Sequence, residues 1–217
     1  MSAAGSPDRR DPEVLGPEEL AAISRSAVAR NYPERTVIVT EGDASDSLFV
    51  ILEGRCRAYV SDENGREAIL SDMGPGEYFG EVAMDEGPRS ASVVTLEPTK
   101  LLVVPAERFR AFLAENPDFA FHFIRKLLHR IRELTRNVSG LALLDAYGRV
   151  ARLLLESARD EDGRQVVAER MTQSEIASRV GCSREMVSRI FKDLVQGGYI
   201  AVEKERIVIL RKPPARP

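Results

Sequence analysis

The sequence predicts an α+β chain: a small β-sandwich or barrel, then a long helix, then a helix-turn-helix closed by a β-hairpin. Three observations predict it. Short β-rich runs broken by turn signals fill residues 35–104, apolar residues take up a helical period from Pro117, and a compact helix–glycine–helix pattern spans residues 172–194. A chain of 217 residues suits one large domain or two small ones with a real core. With 43% hydrophobic and 30% charged residues, its balance is that of an ordinary globular protein.

Taken in order, residues 1–16 read as a flexible leader and Pro17–Arg25 as a short helix. The opening MSAAGSPDRRDPE has no apolar h-region of a secretory signal, and no apolar run in the chain approaches the length of a membrane span. The strand candidates are RTVIVT (35–40), SLFVILEG (47–54), RCRAYVS (55–61), REAIL (66–70), ASVVTL (91–96) and KLLVV (100–104). Asn64-Gly65 predicts a two-residue type I′ hairpin, because that turn needs positive φ at both positions. Many short strands at this spacing point to a sandwich or small barrel.

From Pro117 the period changes. Ile124, Leu127, Ile131, Leu134, Val138 and Leu141 recur at alternating spacings of three and four, an a/d seam. Arg125, Lys126, Arg130, Arg132 and Arg136 are read onto the opposite, solvated face. A helix packed on its own β-domain is one reading; the alternation favours a partner helix, hence a homodimer. Asp145 and Gly148 interrupt the seam and predict a hinge. A second helix is expected over Arg149–Ala158, then a polar loop RDEDGRQ (159–165), two short helices and a terminal hairpin GYIAVEKERIVIL (198–210).

Charge is distributed unevenly. The net charge is −3, yet residues 171–217 hold nine Lys/Arg against five Asp/Glu, so this segment carries +4 and the first 170 residues carry −7. An acidic front with a basic end points to a polyanion contacted by the carboxy-terminal part. Cys56 and Cys182 are far apart and lack metal-ligand spacing, which argues against a disulfide framework or an iron–sulfur cluster and makes the cytoplasm the default compartment. His122 and His129 read as ordinary helix residues, and no metal site is expected.

The segment TQSEIASRVGCSREMVSRIFKDL (172–194) carries the strongest signal. Ala177 lets two helices approach, Gly181 makes the turn and Val187 locks the second helix, as a helix-turn-helix requires. Ile176, Val180, Val187, Ile190 and Leu194 supply its inward face. Ser183 can cap the second helix, whose first turns then expose Arg184, Glu185, Ser188 and Arg189. Arginine forks onto guanine O6/N7 and glutamate accepts from cytosine N4, so this face suits the major groove of DNA. Thr172 and Gln173, at the start of the first helix, join the candidate DNA contacts. Lys204, near the tip of the hairpin, is placed to touch phosphate. Cys182 in the turn reads as a small core filler.

The stretch GEYFGEVAMDEGPRSAS (76–92) gathers Gly80, Glu81, Val82, Arg89, Ser90 and Ala91. A guanidinium with backbone N–H groups in a glycine-rich turn is a phosphate cradle. A carboxylate beside it would repel phosphate unless it faced another part of the ligand, such as a sugar hydroxyl, and that combination suits a nucleotide. An unliganded Glu81–Arg89 salt bridge is the alternative. No nucleophile–base pair or metal cluster accompanies these residues, so an enzyme is not expected.

Together FGEVAMDEGPRSAS (79–92), LALLDAYGRVARLLL (141–155) and EIASRVGCSREMVSRI (175–190) resemble the cAMP receptor protein/FNR superfamily of bacterial transcription regulators, over about residues 35–210. The resemblance implies a cyclic-nucleotide-binding β-roll, a long dimerisation helix and a winged helix-turn-helix. The expected division is 1–30 leader and short helix, 31–116 β-roll, 117–145 dimerisation helix and 146–217 DNA-binding domain. It implies that Gly80 permits close approach, that Glu81 holds the ribose 2′-hydroxyl, and that Arg89 and Ser90 hold a cyclic phosphate near Ala91, with Arg130 approaching the same site. It implies cAMP as allosteric ligand, no cofactor, RNA polymerase as a partner, and TGTGA-type half-sites read by Arg184, Glu185 and Arg189. RDEDGRQ is a candidate surface for the polymerase, and a solvated acidic-basic loop explains it equally well. Two departures stand out. The loop from Gly80 to Arg89 is shorter than in the enterobacterial cAMP receptor protein. Leu134 and Thr135 also stand where cAMP-responsive members place a Thr followed by Ser or Asn on the dimer helix to read adenine. Leu134 motivates the alternative of a regulator active without ligand or answering to another nucleotide such as cyclic di-GMP. The FNR branch needs a cysteine cluster that this chain lacks, and nothing supports a haem sensor.

Overall fold

The computed structural model describes residues 15–25, 27–44, 46–85, 87–167, 171–203 and 206–214. Contacts divide the chain into two units: residues 1–60 with 70–133, and residues 61–69 with 134–217.

The first unit is built on two four-stranded antiparallel sheets. One has the order β1 (Val28–Tyr32), β8 (Thr99–Pro105), β3 (Ser47–Glu53), β6 (Tyr78–Phe79). The other has the order β2 (Val37–Val39), β7 (Ser92–Thr95), β4 (Cys56–Ser61), β5 (Glu67–Met73). Strand alternation distributes β3 between two cores. Phe49 and Ile51 join Val39, Cys56, Met73, Phe79, Val93 and Leu101 between the sheets. Leu48 and Val50 face the other way, with Leu102 and Val104, and are covered by helices α1 (Pro17–Ser24), α2 (Ala106–Glu115) and the start of α3 (Pro117–Leu143). Phe109 and Phe123 close that layer edge to face, 5.3 Å apart.

Several features depart from the sequence expectation. The β4–β5 connection is not a type I′ turn. Gly65 alone takes positive φ (74°), and Asp62 exchanges backbone hydrogen bonds with Gly65 and Arg66, the pattern of a type I turn followed by a left-handed glycine. The Asp62 side chain decides this by accepting from the amides of Asn64 and Arg66. Strands β1 and β6 and helix α2 were not anticipated. Lys126, read as solvated, is 1% exposed.

Helix α3 is continuous over Pro117–Leu143. Phe121, Ile124, Leu128, Ile131, Leu134, Val138 and Leu141 are all large and exposed along it. The stripe therefore uses Leu128, and Leu127 packs against the helix-covered core instead.

In the second unit, α4 (Ala146–Ser157) starts three residues before the expected Arg149, because Asp145 caps it by accepting from the Gly148 amide at 2.8 Å. Residues 159–165 are not a loop. They belong to a hairpin, β9 (Ala158–Glu161) and β10 (Arg164–Val167), turned by Asp162 and Gly163 at φ 53° and 80°. This hairpin joins β11 (Ile200–Glu203) and β12 (Arg206–Ile209) in the sheet order β11-β12-β10-β9. Helices α5 (Gln173–Val180) and α6 (Arg184–Gln196) pack with α4 and the sheet around Val150, Leu154, Ile176, Val187, Leu194 and Ile200.

Candidate ligand site and nucleic-acid interface

The candidate ligand site lies where β6 ends. Gly80 takes φ +83°, and a Cβ there would stand 2.7 Å from Arg89 Nη1 and 2.9 Å from the Ser47 carbonyl oxygen. Only glycine fits this backbone. The chain then winds through one short 3₁₀ helix, Glu81–Asp85, in which the Ala83 amide donates back to the Gly80 carbonyl at 3.1 Å.

Arg89 is buried, at 6% exposure, and lies over the Phe49 ring. Its Nη1 donates to the Ser47 carbonyl at 2.9 Å and to the Gly80 carbonyl at 3.3 Å. Its backbone is pinned to the 42–43 turn: its amide donates to Asp43 O and its carbonyl accepts from Gly42 N. Burial pulls the Arg89 guanidinium below its ordinary pKa, while Asp46, Glu81 and Asp43 act in the other direction. Arg89 Nη2 also stands 4.0 Å from the exposed Asp46 carboxylate, so a buried cation matched by one distant carboxylate and two neutral carbonyls is a candidate for an anionic ligand. Ser90 is exposed beside it, and Ala91 and Val82 are half-buried.

Glu81 does not pair with Arg89. Its Oε1 is held by Arg130 Nη1 from α3, while its Oε2 is buried and has no hydrogen-bond partner among the described residues. Arg130 also reaches the Tyr78 carbonyl at 3.5 Å. The structure thus brings Gly80, Glu81, Arg89 and Arg130 together, with one bare carboxylate oxygen that asks for a donor. Leu134 and Thr135 follow Arg130 on α3 by four and five residues, and both are exposed.

The two thiols stand apart from this chemistry. Burial pushes the Cys56 thiol up to about 12, and it also raises that of Cys182. Among the described residues, no group of three or more His, Cys, Asp or Glu side chains is placed to hold a metal ion, and no helix is long and apolar enough to cross a membrane.

The second candidate surface is set by two helix caps. Thr172 and Glu175 form a reciprocal capping box at the start of α5, and Gly181 ends that helix in the left-handed conformation (φ 67°). Ser183 then caps α6 by accepting from the Met186 amide at 3.2 Å. With Val187 and Ile190 buried, Arg184, Glu185, Ser188 and Arg189 are left exposed together on α6. The Glu185 carboxyl is held below its ordinary range by a backbone amide and the Ser183 hydroxyl, with Arg184 and Arg189 adding to this. It is therefore an acceptor at neutral pH. Thr172 is exposed and Gln173 half-buried at the start of α5, whereas Lys204 lies outside the described residues.

Sequence reasoning passed over two residues here. Lys192 is exposed four residues beyond Ser188, and helical spacing alone could have placed it on the same face. Arg149 ties the α3–α4 connection to the turn: Nη1 donates to Leu144 O at 2.9 Å and Nε to Val180 O at 2.7 Å, the last carbonyl before Gly181. No local pattern in the sequence announces that contact.

Comparison with known proteins identifies both domains. Residues 29–116 match the cyclic nucleotide-binding domain family and residues 148–213 the Crp-like helix-turn-helix domain family. The chain is 31% identical over 198 residues to a CRP-like cAMP-activated global transcriptional regulator of Mycobacterium tuberculosis, covering 89% of this chain and 88% of that one. It is 34% identical over 186 residues to the cAMP-activated global transcriptional regulator CRP of Pasteurella multocida, covering 82% and 88%. Among solved structures, the c-di-GMP responsive global regulator CLP of Xanthomonas campestris superposes with a TM-score of 0.75 at 25% identity, over 89% of this chain and 98% of that one.

Proposed function

Since the chain belongs to the CRP/FNR superfamily and is a CRP-like, cyclic-nucleotide-responsive, DNA-binding transcription regulator, we propose that it works as a homodimer gated by cAMP and reading TGTGA-type half-sites. The observation that carries the effector assignment is the split polarity of the candidate site. Arg89 offers a cation to a phosphate, and Glu81 offers a buried free oxygen to a hydroxyl. A cyclic nucleotide presents phosphate and ribose 2′-hydroxyl from one rigid ring system, so both demands are met by a single ligand.

In this reading Gly80, Val82, Ser90 and Ala91 supply close-approaching backbone and a hydroxyl to the phosphate, and Arg130 releases part of Glu81 when ribose engages it. The exposed stripe on α3 is covered by the same stripe of a second chain, which brings Leu134 and Thr135 of either chain into reach of the base. Arg184, Glu185 and Arg189 read bases, while Thr172, Gln173, Ser183, Ser188 and Lys204 hold backbone or flanking positions. RNA polymerase is the partner expected of a cytoplasmic regulator of this type, and residues 159–165 in the β9–β10 hairpin are the candidate surface.

A second reading is favoured by one residue. Leu134 carries no hydroxyl for adenine, and a cyclic di-GMP responsive relative shares the fold. A DNA-binding titration without ligand and with cAMP, cGMP or cyclic di-GMP separates the two. Enhancement by cAMP alone supports the first reading, and enhancement by cyclic di-GMP alone supports the second. Equal affinity in all four arms refutes ligand gating.

A further inference from the structure

Lys126 has no part in the site as described above, yet it is a lysine at 1% exposure. Removing an ammonium from water costs several kcal/mol unless the protein replaces its hydration. Two groups of one residue contribute to that replacement. Nζ donates to the Tyr78 carbonyl at 3.0 Å and stands 3.3 Å from the centre of the Tyr78 ring. The ring is held from its other neighbour, Phe123, in a stack at 5.9 Å, and Phe123 lies three residues before Lys126 on α3. An apolar side chain would fill the same volume at less cost, so the retained charge points to a task beyond filling.

That task follows from where Tyr78 sits. It opens the two-residue strand β6, which leads directly into Gly80 and Glu81. Arg130, one turn beyond Lys126, reaches the same Tyr78 carbonyl while it also pairs with Glu81. One carbonyl at the entrance of the candidate site therefore receives two cations from α3, and Arg130 holds the ligand-facing carboxylate of Glu81 as well. We infer that Lys126 is a positioning residue for ligand binding: it locks Tyr78, and with it the Gly80–Glu81 step, onto α3 so that Arg130 is free to exchange partners when a ligand engages. This rests on reading residues 80–91 as the ligand site.

The test uses the full chain with Lys126→Met, which keeps the aliphatic stem, and Lys126→Arg, which keeps the cation. Two quantities are read: amide hydrogen exchange over residues 79–85 in ligand-free protein, and cAMP affinity by calorimetry. Loss of one charge-assisted hydrogen bond corresponds to about tenfold or more in each. Lys126→Met is expected to speed exchange selectively across 79–85 and to weaken cAMP about tenfold, with Lys126→Arg restoring both. Unchanged exchange at 79–85, or an increase spread evenly over the whole unit, overturns the inference. Should Lys126→Met fail to fold, Lys126→Gln, which keeps a donor without the charge, gives the same two readings. If wild-type protein binds no cAMP, the effector assignment fails while the exchange measurement still decides the role of Lys126.

Discussion

Arg89→Leu is the substitution on which the proposed site turns. Arg89 is the cation of the candidate pocket, 6% exposed, and Asp46, Glu81 and Asp43 all act on it electrostatically. Replacing it with leucine keeps the apolar stem over Phe49 but removes the donor from the Ser47 and Gly80 carbonyls, at about 1–3 kcal/mol of stability. The effect on ligand is larger. A fork on a phosphate makes two charge-assisted bonds of about 1.5–3 kcal/mol each, so their loss weakens binding by about a hundredfold or more. The field at the phosphate also becomes more negative, because Asp43, Asp46 and Glu81 remain and Arg130 is already paired with Glu81. Calorimetry with cAMP on wild-type protein, Arg89→Leu and Arg89→Lys, with thermal unfolding in parallel, separates these effects. Arg89→Lys should fall between the other two, since a point charge remains but the fork is gone. A folded Arg89→Leu protein whose cAMP affinity stays within about threefold of wild type would refute the phosphate assignment, because no arrangement of neutral groups replaces that cation.

The remaining predictions address the other surfaces and the β-fold. Arg184→Ala should cost roughly 1–3 kcal/mol on a TGTGA-type site and relax its specificity; an equal loss on random DNA, measured by titration at fixed salt, would make Arg184 a phosphate contact instead. Ile131→Asp puts a charge in the middle of the exposed α3 stripe and should shift sedimentation toward the monomer, whereas an unchanged species would remove the stripe from the interface. Gly54→Ala should destabilise by about 2–4 kcal/mol in denaturant unfolding, since φ is +84° and a Cβ would lie 2.6 Å from the Pro98 carbonyl oxygen. A loss below about 0.5 kcal/mol would show that the β3–β4 turn relaxes freely.

How much of this was legible in the sequence depends on what each element needs from its residues. Strands with one buried face announce themselves, as β3 and β8 do. Strand β1 does not, because four of its five residues are exposed and the sequence VARNY shows no apolar alternation. The β9–β10 hairpin hides for the same reason within a polar run, although Asp162-Gly163 is a local turn signal that could have revealed it. Helix α2 carries only Phe109, Phe112 and Leu113 toward the core, too few for a period to stand out. The helix-turn-helix was legible almost residue by residue, because caps, turn glycine and inward face are all local requirements. In the ligand site, the residue types were legible and the partnerships were not. Glu81 was expected opposite Arg89 or a ligand, but its partner is Arg130, 49 residues away.

Helix α3 shows why that partnership escaped a periodic reading. A spacing of three and four fits two faces of one helix equally well, since it selects a stripe and not a direction. Phe123, Lys126, Leu127 and Arg130 turn toward the β-sheets, while Ile124, Leu128 and Ile131 remain exposed. Leu127 fits the arithmetic of the seam yet belongs to the core, and Lys126 looks solvated yet is buried. The consequence is mechanical. Arg130 and Ile131 are consecutive residues, one bound to the candidate ligand carboxylate and the other on the stripe assigned to the dimer. Whatever ligand draws Arg130 away from Glu81 therefore acts on the element that carries the stripe proposed for the dimer. A coupling of about 1–3 kcal/mol, the ordinary range for linked sites, asks no more than one such exchanged ion pair.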